Sequence, residues 1–229
     1  MGRRWVVLAV ALVLALLMAG CGGIGAPPPY LVVLAPESPV SLGRCTGTAL
    51  SPRLVLTAAH CADMGQAVAQ DGQQVGVSPV VVWRQADVAV LTTDAPLLLA
   101  AYGRVGVAAV DRPGVFYGAC PRAALSVPRP VTFVARGAEQ LRSQGTVLLD
   151  AWRIRQTPGH IGYACGGDSG GPLLQEGRIV GILSAVQVVQ PFAVIGDRLY
   201  FVPSERIQMA VEMAETLVQE VERGETARR

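Results

Sequence analysis

The stretch CGGDSGGP, Cys165–Pro172, carries one nucleophilic hydroxyl in a run nearly free of side chains. Glycine adopts backbone conformations closed to other residues, so such a run turns sharply and lets other groups approach its backbone. The turn can present Ser169 outward with free N–H groups beside it, as attack on a carbonyl requires. A serine hydroxyl is a weak nucleophile at neutral pH and needs a base, itself held in one tautomer by a third group. Two upstream segments offer both: TAAHC (Thr57–Cys61) contains His60, and ADVAVL (Ala86–Leu91) places Asp87 at the head of an apolar run. Asp94 competes for the orienting role, but Thr92, Thr93 and Pro96 around it read as a turn.

Around these segments the chain is a series of short valine- and leucine-rich runs broken by Gly, Pro, Asp and Ser. Leu31–Leu34, Leu54–Thr57, Val75–Val82, Val88–Leu91, Val105–Val110, Val131–Ala135, Val147–Ile154, Ile179–Leu183 and Leu199–Val202 are examples. That pattern predicts an all-β sandwich or barrel. Asp111-Arg112-Pro113-Gly114 is the strongest break and divides the body into two strand-rich halves, with no internal sequence repeat visible. After Ser204 the period changes. Ile207, Ala210, Val211, Ala214, Leu217, Val218 and Val221 follow the 3/4 spacing of an amphipathic helix over 204–223, with Ser204 as N-cap and Gly224 as stop. Residues 224–229 read as a tail.

The first residues stand apart from the body. Arg3 and Arg4 precede an apolar run, Trp5–Ala19, shorter than the ~20 residues a membrane span needs, and small residues follow; this is the pattern of an export signal over 1–20. The end of the run, Leu17-Met18-Ala19-Gly20-Cys21, resembles a bacterial lipobox, which implies lipid on Cys21 and a chain anchored in the cell envelope, or secreted if the anchor is absent. Residues 21–29, with GGIGAPPP, read as a flexible tether, and the fold should begin at Tyr30.

Composition narrows the function classes. Half the chain is hydrophobic (51%), 16% is charged and the net charge is +2, with the basic residues scattered. Nucleic-acid binding calls for a clustered basic face, which is missing. With Cys21 set aside, Cys45, Cys61, Cys120 and Cys165 remain, and in an exported chain these allow three disulfide pairings. A local Cys45–Cys61 bridge would clamp the loop before His60 and leave Cys120 to pair with Cys165. A metal site is not expected, since paired C-x-x-C spacing is absent and only His60 and His160 are available to help. No cofactor is expected either.

The three motifs, in the order histidine, aspartate, serine, resemble the chymotrypsin/trypsin-like serine peptidase family over roughly residues 31–223. The resemblance implies two six-stranded antiparallel β-barrels, about 30–110 and 114–202, with the active site between them and a C-terminal helix. It implies Ser169 as nucleophile, His60 as base, Asp87 as its orienter, and the N–H groups of Gly167 and Ser169 as the oxyanion hole. It also implies the Cys45–Cys61 bridge, and a supporting role for Asp168 in the oxyanion loop. Asp168 pairs with a cleavage-freed amino terminus in animal members; no activation-cleavage motif is visible here, so another partner is expected. Tyr163, at the floor of the side-chain pocket, is not the acid that cleavage after Arg or Lys requires. Ser184 and Val186 line the same pocket, and Val186, where the family has glycine, narrows it toward small or aliphatic residues. The expected partner is a polypeptide substrate, met by a monomer held at a membrane by its lipid.

Three alternatives are weaker. A catalytically silent binding module would not need all three motifs. A quality-control protease of the HtrA type usually carries a PDZ domain, and nothing after residue 203 is long enough for one. An esterase of the α/β-hydrolase class predicts serine before histidine and alternating helices, against the order seen.

Overall fold

The computed structural model describes residues 27–37, 43–109, 112–119, 129–143, 146–156, 164, 166–189 and 194–226. Residues 1–20, which the sequence pattern reads as an export signal, and Cys21, Cys120, His160, Tyr163 and Cys165 lie outside them. Among the described residues no helix is long and apolar enough to cross a membrane.

Six strands close the first barrel: β1 (Leu31–Ala35), β2 (Cys45–Ala49), β3 (Leu54–Thr57), β4 (Gln66–Ala69), β5 (Gln74–Trp83) and β6 (Val88–Thr93). Their order around the barrel is β1-β2-β3-β6-β5-β4. Six more close the second: β7 (Gly114–Phe116), β8 (Arg129–Ser143), β9 (Thr146–Gln156), β10 (Pro172–Gln175), β11 (Arg178–Val189) and β12 (Val194–Pro203). Their order is β7-β8-β9-β12-β11-β10, the first arrangement repeated strand for strand. The all-β reading with two six-stranded barrels and a C-terminal helix therefore holds. It also contains a duplication that the sequence conceals.

Each barrel fills its interior with its own aliphatic and aromatic side chains. Leu34, Val55, Leu56 and Leu91 are among the buried residues of the first. Phe116, Ile154, Leu173, Leu199 and Phe201 are among those of the second, where Phe116 and Phe201 meet edge to face at 5.5 Å. β6 is buried on both faces, which is why VAVL reads as a continuous apolar run rather than an alternation. The cover on its outer face is helix α1 (Ser204–Thr226), which leaves β12 and packs back across β5 and β6. Ile207, Ala210 and Ala214 are fully buried there, and the Arg206 guanidinium lies 5.1 Å from the centre of the Trp83 ring. Burying one isoleucine side chain is worth about 1.5–3 kcal/mol, so the helix fastens the end of the second barrel to the wall of the first.

Two local readings change. Helix α1 runs through Gly224, where the pattern predicted its end, to Thr226. Gly224 lacks the positive φ of a terminating glycine and has open space around it, so it is a helical residue at a modest propensity cost. The described part of the Val105–Val110 run, residues 105–109, is not a strand: Val105 makes an isolated bridge to Ile179, and Val107 is exposed. This segment belongs to the connection between β6 and β7, which lies along β11 through Gly106 N–H to the Ile179 carbonyl and Ile179 N–H to the Arg104 carbonyl. The Gln175 side chain holds the same connection through Ala109 and the Arg112 carbonyl.

Candidate active site

His60 sits in a single helical turn, Ala59–Cys61, directly after β3. The turn is fastened by a disulfide between Cys45 on β2 and Cys61, whose Cα atoms are 6.1 Å apart. The bridge closes a loop of sequence separation 16, for which chain entropy gives about 3 kcal/mol of stabilisation. Cys45, His60 and Cys61 lie within reach of one another, but both sulfurs are spent in the bridge, leaving one imidazole.

Asp87 ends the turn joining β5 to β6 and takes a left-handed φ of 52°. Aspartate is one of the few residues that tolerate this conformation, and here it turns the carboxylate toward His60. Oδ1 accepts the His60 backbone N–H at 3.1 Å, and Nδ1 lies 3.0 Å from each carboxylate oxygen. Oδ2 also accepts the Ser184 hydroxyl at 2.6 Å. An ionised carboxylate only accepts, so this network assigns the ring proton to Nδ1 and leaves the Nε2 lone pair available. Asp87 is buried, and these donors offset the desolvation of its charge. Asp94 is elsewhere: exposed at the far end of β6, it accepts the Gly76 N–H at 2.9 Å and closes the β5–β6 ladder.

The serine turn belongs to the second barrel, between Ala164 and β10, yet it is seated on the first. Thr46 N–H on β2 donates to the Ser169 carbonyl at 2.8 Å, and that carbonyl lies 3.9 Å from Cys61 Sγ, one residue beyond His60. Gly170 has φ of 79°, and a Cβ there would come 2.2 Å from Thr57 Oγ1 and 2.4 Å from the Thr46 carbonyl. Only glycine lets the two barrels close this far. Behind the turn, Gly170 N–H donates to the Leu183 carbonyl at 2.7 Å and Leu183 N–H to the Gly171 carbonyl at 2.9 Å. Gly167 has φ of 107°, again open only to glycine. Among the described residues no backbone acceptor lies on the N–H of Gly167 or of Ser169. Asp168 between them is fully buried.

The structure thus brings His60, Asp87, Ser184 and the Gly167–Ser169 turn to one place between the barrels. Ser184, read from the sequence as a pocket residue, has its hydroxyl on Asp87, so what it can turn toward a substrate is backbone. Val186, half-buried further along β11, packs against the core of the second barrel. Two polar contacts escaped sequence reasoning: Ser184 on Asp87 and Thr46 on the serine turn. They join residues 97 and 121 apart, and no local pattern marks them. Beside the turn, burial raises the Tyr117 phenol above its ordinary pKa of 10.0; burial, and secondarily repulsion from Tyr117, raises Tyr30.

Two closed barrels of one topology, with the serine turn of the second laid on the histidine turn of the first, define the two-barrel architecture of trypsin-like serine proteases. The family model described as Trypsin matches residues 25–192, and the chain belongs to that family. Solved structures agree in fold. The active form of the Rv3671c protease from M. tuberculosis is 20% identical, with a TM-score of 0.60 and 81% of each chain covered. An inactive form of the same protease is 18% identical, with a TM-score of 0.60 over 80% of this chain and 88% of that one. The serine endoprotease from Yersinia pestis is 19% identical, with a TM-score of 0.61 over 85% of this chain and 64% of that one. No curated protein matches the sequence. The trypsin-like fold supports peptidase activity, and the family implies a polypeptide substrate.

Proposed function

We propose that the chain is a serine endopeptidase working through Ser169, His60 and Asp87. The observation that carries this reading is the Asp87 network, which commits Nδ1–H of His60 to the carboxylate and leaves Nε2 as a base. Ser169 Oγ bonds to the carbonyl carbon of the scissile peptide as its proton passes to Nε2. The electron pair displaced onto the carbonyl oxygen meets the N–H groups of Gly167 and Ser169, each donor of such a pair being worth about 10²–10³ in rate. The C–N bond then breaks, the proton on Nε2 leaves with the amine, and water releases the acyl group by the same steps in reverse order. Asp87 stays ionised and stabilises the transient imidazolium. Asp168, buried between the two oxyanion donors, supports the turn.

Tyr163 and Val186 set a preference for small or aliphatic residues before the cut. The export-signal pattern over 1–20 and the lipobox-like end at Cys21 support an enzyme held in the bacterial cell envelope by a lipid anchor, and we read it as a monomer acting on exported polypeptides. The primary test is a fluorophosphonate probe on the full chain. Covalent labelling that disappears in Ser169→Ala is expected; labelling that persists in Ser169→Ala refutes the reading. A peptide-library profile rich in cleavage after Arg or Phe would overturn the pocket assignment. Retained labelling by a palmitate analogue in Cys21→Ala would overturn the anchor.

A further inference from the structure

Thr46 stands on β2 directly after the bridged Cys45, and none of its surface is exposed. Its N–H, hydroxyl and carbonyl are all engaged, and the first two make three hydrogen bonds with the loops of the second barrel. Its N–H donates to the Ser169 carbonyl at 2.8 Å. Its hydroxyl donates to the Gly167 carbonyl at 2.7 Å and accepts the Ala119 N–H at 2.8 Å. Its own carbonyl accepts the Thr57 hydroxyl at 2.9 Å, which ties it to the strand leading to His60. A hydroxyl has one proton to give, and it goes to Gly167; a lone pair takes Ala119.

The two carbonyls that Thr46 holds belong to Gly167 and Ser169, the residues whose N–H groups form the oxyanion hole in the reading above. Pinning both fixes the peptide planes around the reactive serine. The third contact reaches the wall behind the turn. Ala119 follows Gly118, where a Cβ would come 2.2 Å from Asp168 Oδ1, so the segment that Thr46 holds is the one against which the Asp168 carboxylate lies. One buried hydroxyl from the first barrel therefore grips both loops of the second that shape the oxyanion hole.

We propose that Thr46 is the positioning residue of the oxyanion loop, acting through its hydroxyl on Gly167 and Ala119. The proposal rests on the peptidase reading. Its effect belongs to bond formation and not to substrate capture, because Thr46 is buried behind the turn and touches the donors' residues only from behind.

The test compares Thr46→Val, which keeps the β-branched shape and the backbone contact to Ser169, with Thr46→Ser, which keeps the hydroxyl. Both are made in the full chain and read by the kinetics of fluorophosphonate labelling. Loss of the hydroxyl should lower the maximal labelling rate by about 10–10²-fold, somewhat less than deleting an oxyanion donor outright, with probe affinity unchanged. Thr46→Ser should recover most of the rate, and turnover of labelled casein should fall in kcat and not in KM. A Thr46→Val rate within about twofold of wild type, or a Thr46→Ser rate as low as that of Thr46→Val, overturns the proposal. Amide exchange on the wild-type chain covers the case in which Thr46→Val does not fold: slow exchange at Ala119 N–H is expected, and exchange at the rate of an open loop refutes the clamp. The Ser169→Ala control separates the two readings. Labelling that survives it removes the peptidase reading and this proposal together, whereas Ser169-dependent labelling indifferent to the Thr46 hydroxyl removes only the proposal.

Discussion

Replacing Asp87 with asparagine should abolish most turnover while leaving the fold intact, and the structure says why both halves hold. Asparagine tolerates the left-handed backbone at least as well as aspartate, so the φ of 52° at this position adds no strain. The side chains are isosteric, so the turn between β5 and β6 keeps its packing. What changes is the donor pattern. The amide oxygen must take the Oδ1 place, where the backbone N–H of His60 needs an acceptor at 3.1 Å. The NH₂ group then falls at the Oδ2 place, 3.0 Å from Nδ1 and 2.6 Å from the Ser184 hydroxyl. The hydroxyl can rotate and become an acceptor, while Nδ1, 3.0 Å from the oxygen and the new donor alike, finds that oxygen already shared with the His60 N–H and pairs with the NH₂ through its lone pair. The ring proton moves to Nε2, the position the base needs empty. A wrong tautomer in a triad of this kind lowers kcat by about 10⁴, equivalent to about 5.5 kcal/mol of transition-state stabilisation. The assay is the initial rate of fluorophosphonate labelling and casein hydrolysis, with thermal melting to confirm folding. A folded Asp87→Asn enzyme within tenfold of wild type would refute the tautomer argument.

Further predictions follow from the same contacts. Gly170→Ala should be inactive or unfolded, since its Cβ would strike the Thr46 carbonyl at 2.4 Å, whereas Gly166→Ala, with nothing within 4 Å, should stay near wild type; similar activities in the two variants would refute the packing argument. Thr48 is fully buried two residues beyond Thr46, and its hydroxyl has no partner among the described residues. Thr48→Val should therefore stabilise the protein by about 1 kcal/mol in urea unfolding, and a loss of that size would mean the hydroxyl is satisfied. Tyr30 and Tyr117 hold their protons more tightly when folded, chiefly through burial. Their contribution to stability is complete below about pH 10 and is lost as pH rises through the raised folded values. The urea midpoint should fall between pH 9 and 11 by the linkage relation, less steeply in a Tyr30→Phe/Tyr117→Phe variant; equal slopes would refute it.

What the sequence shows well is what lies in contiguous runs. The serine turn, the histidine segment and the run after Asp87 are each legible because neighbouring residues do related work, and helix α1 is legible because one face of it is buried at helical spacing. The second barrel's likeness to the first was invisible. A barrel needs only alternation and register, and different side chains fill the two interiors. An apolar run alone does not make a strand: residues 105–109 lie along β11 with Val107 in solvent. The family resemblance puts Ser184 in the pocket, but nothing local in the sequence shows that its hydroxyl is committed to a carboxylate on the other barrel.

The site is divided between two bodies that each fold around their own core, so its geometry is only as good as the joint between them. In the proposed reading the first barrel supplies the base, its orienter and the clamp on the turn; the second supplies the turn itself and Ser184, whose hydroxyl meets Asp87. Three kinds of contact make the joint. Apolar side chains of the second barrel, Leu174, Ile179, Ile182 and Val202, continue the core of the first. Helix α1 returns from β12 to cover β6, the strand that Asp87 leads. Buried hydrogen bonds then set the final register: Thr46 on the turn in one direction, Ser184 on Asp87 in the other. Apolar packing is non-directional and tolerates small slips, whereas a hydrogen bond at 2.6 to 2.8 Å does not. Catalysis that fails when groups move by an ångström therefore depends most on the two polar contacts, even though the apolar ones contribute more of the free energy. Variants that loosen α1, such as Ile207→Ala, should lower stability first and rate only near unfolding. Variants of Thr46 or Ser184 should lower rate in a protein that still melts normally.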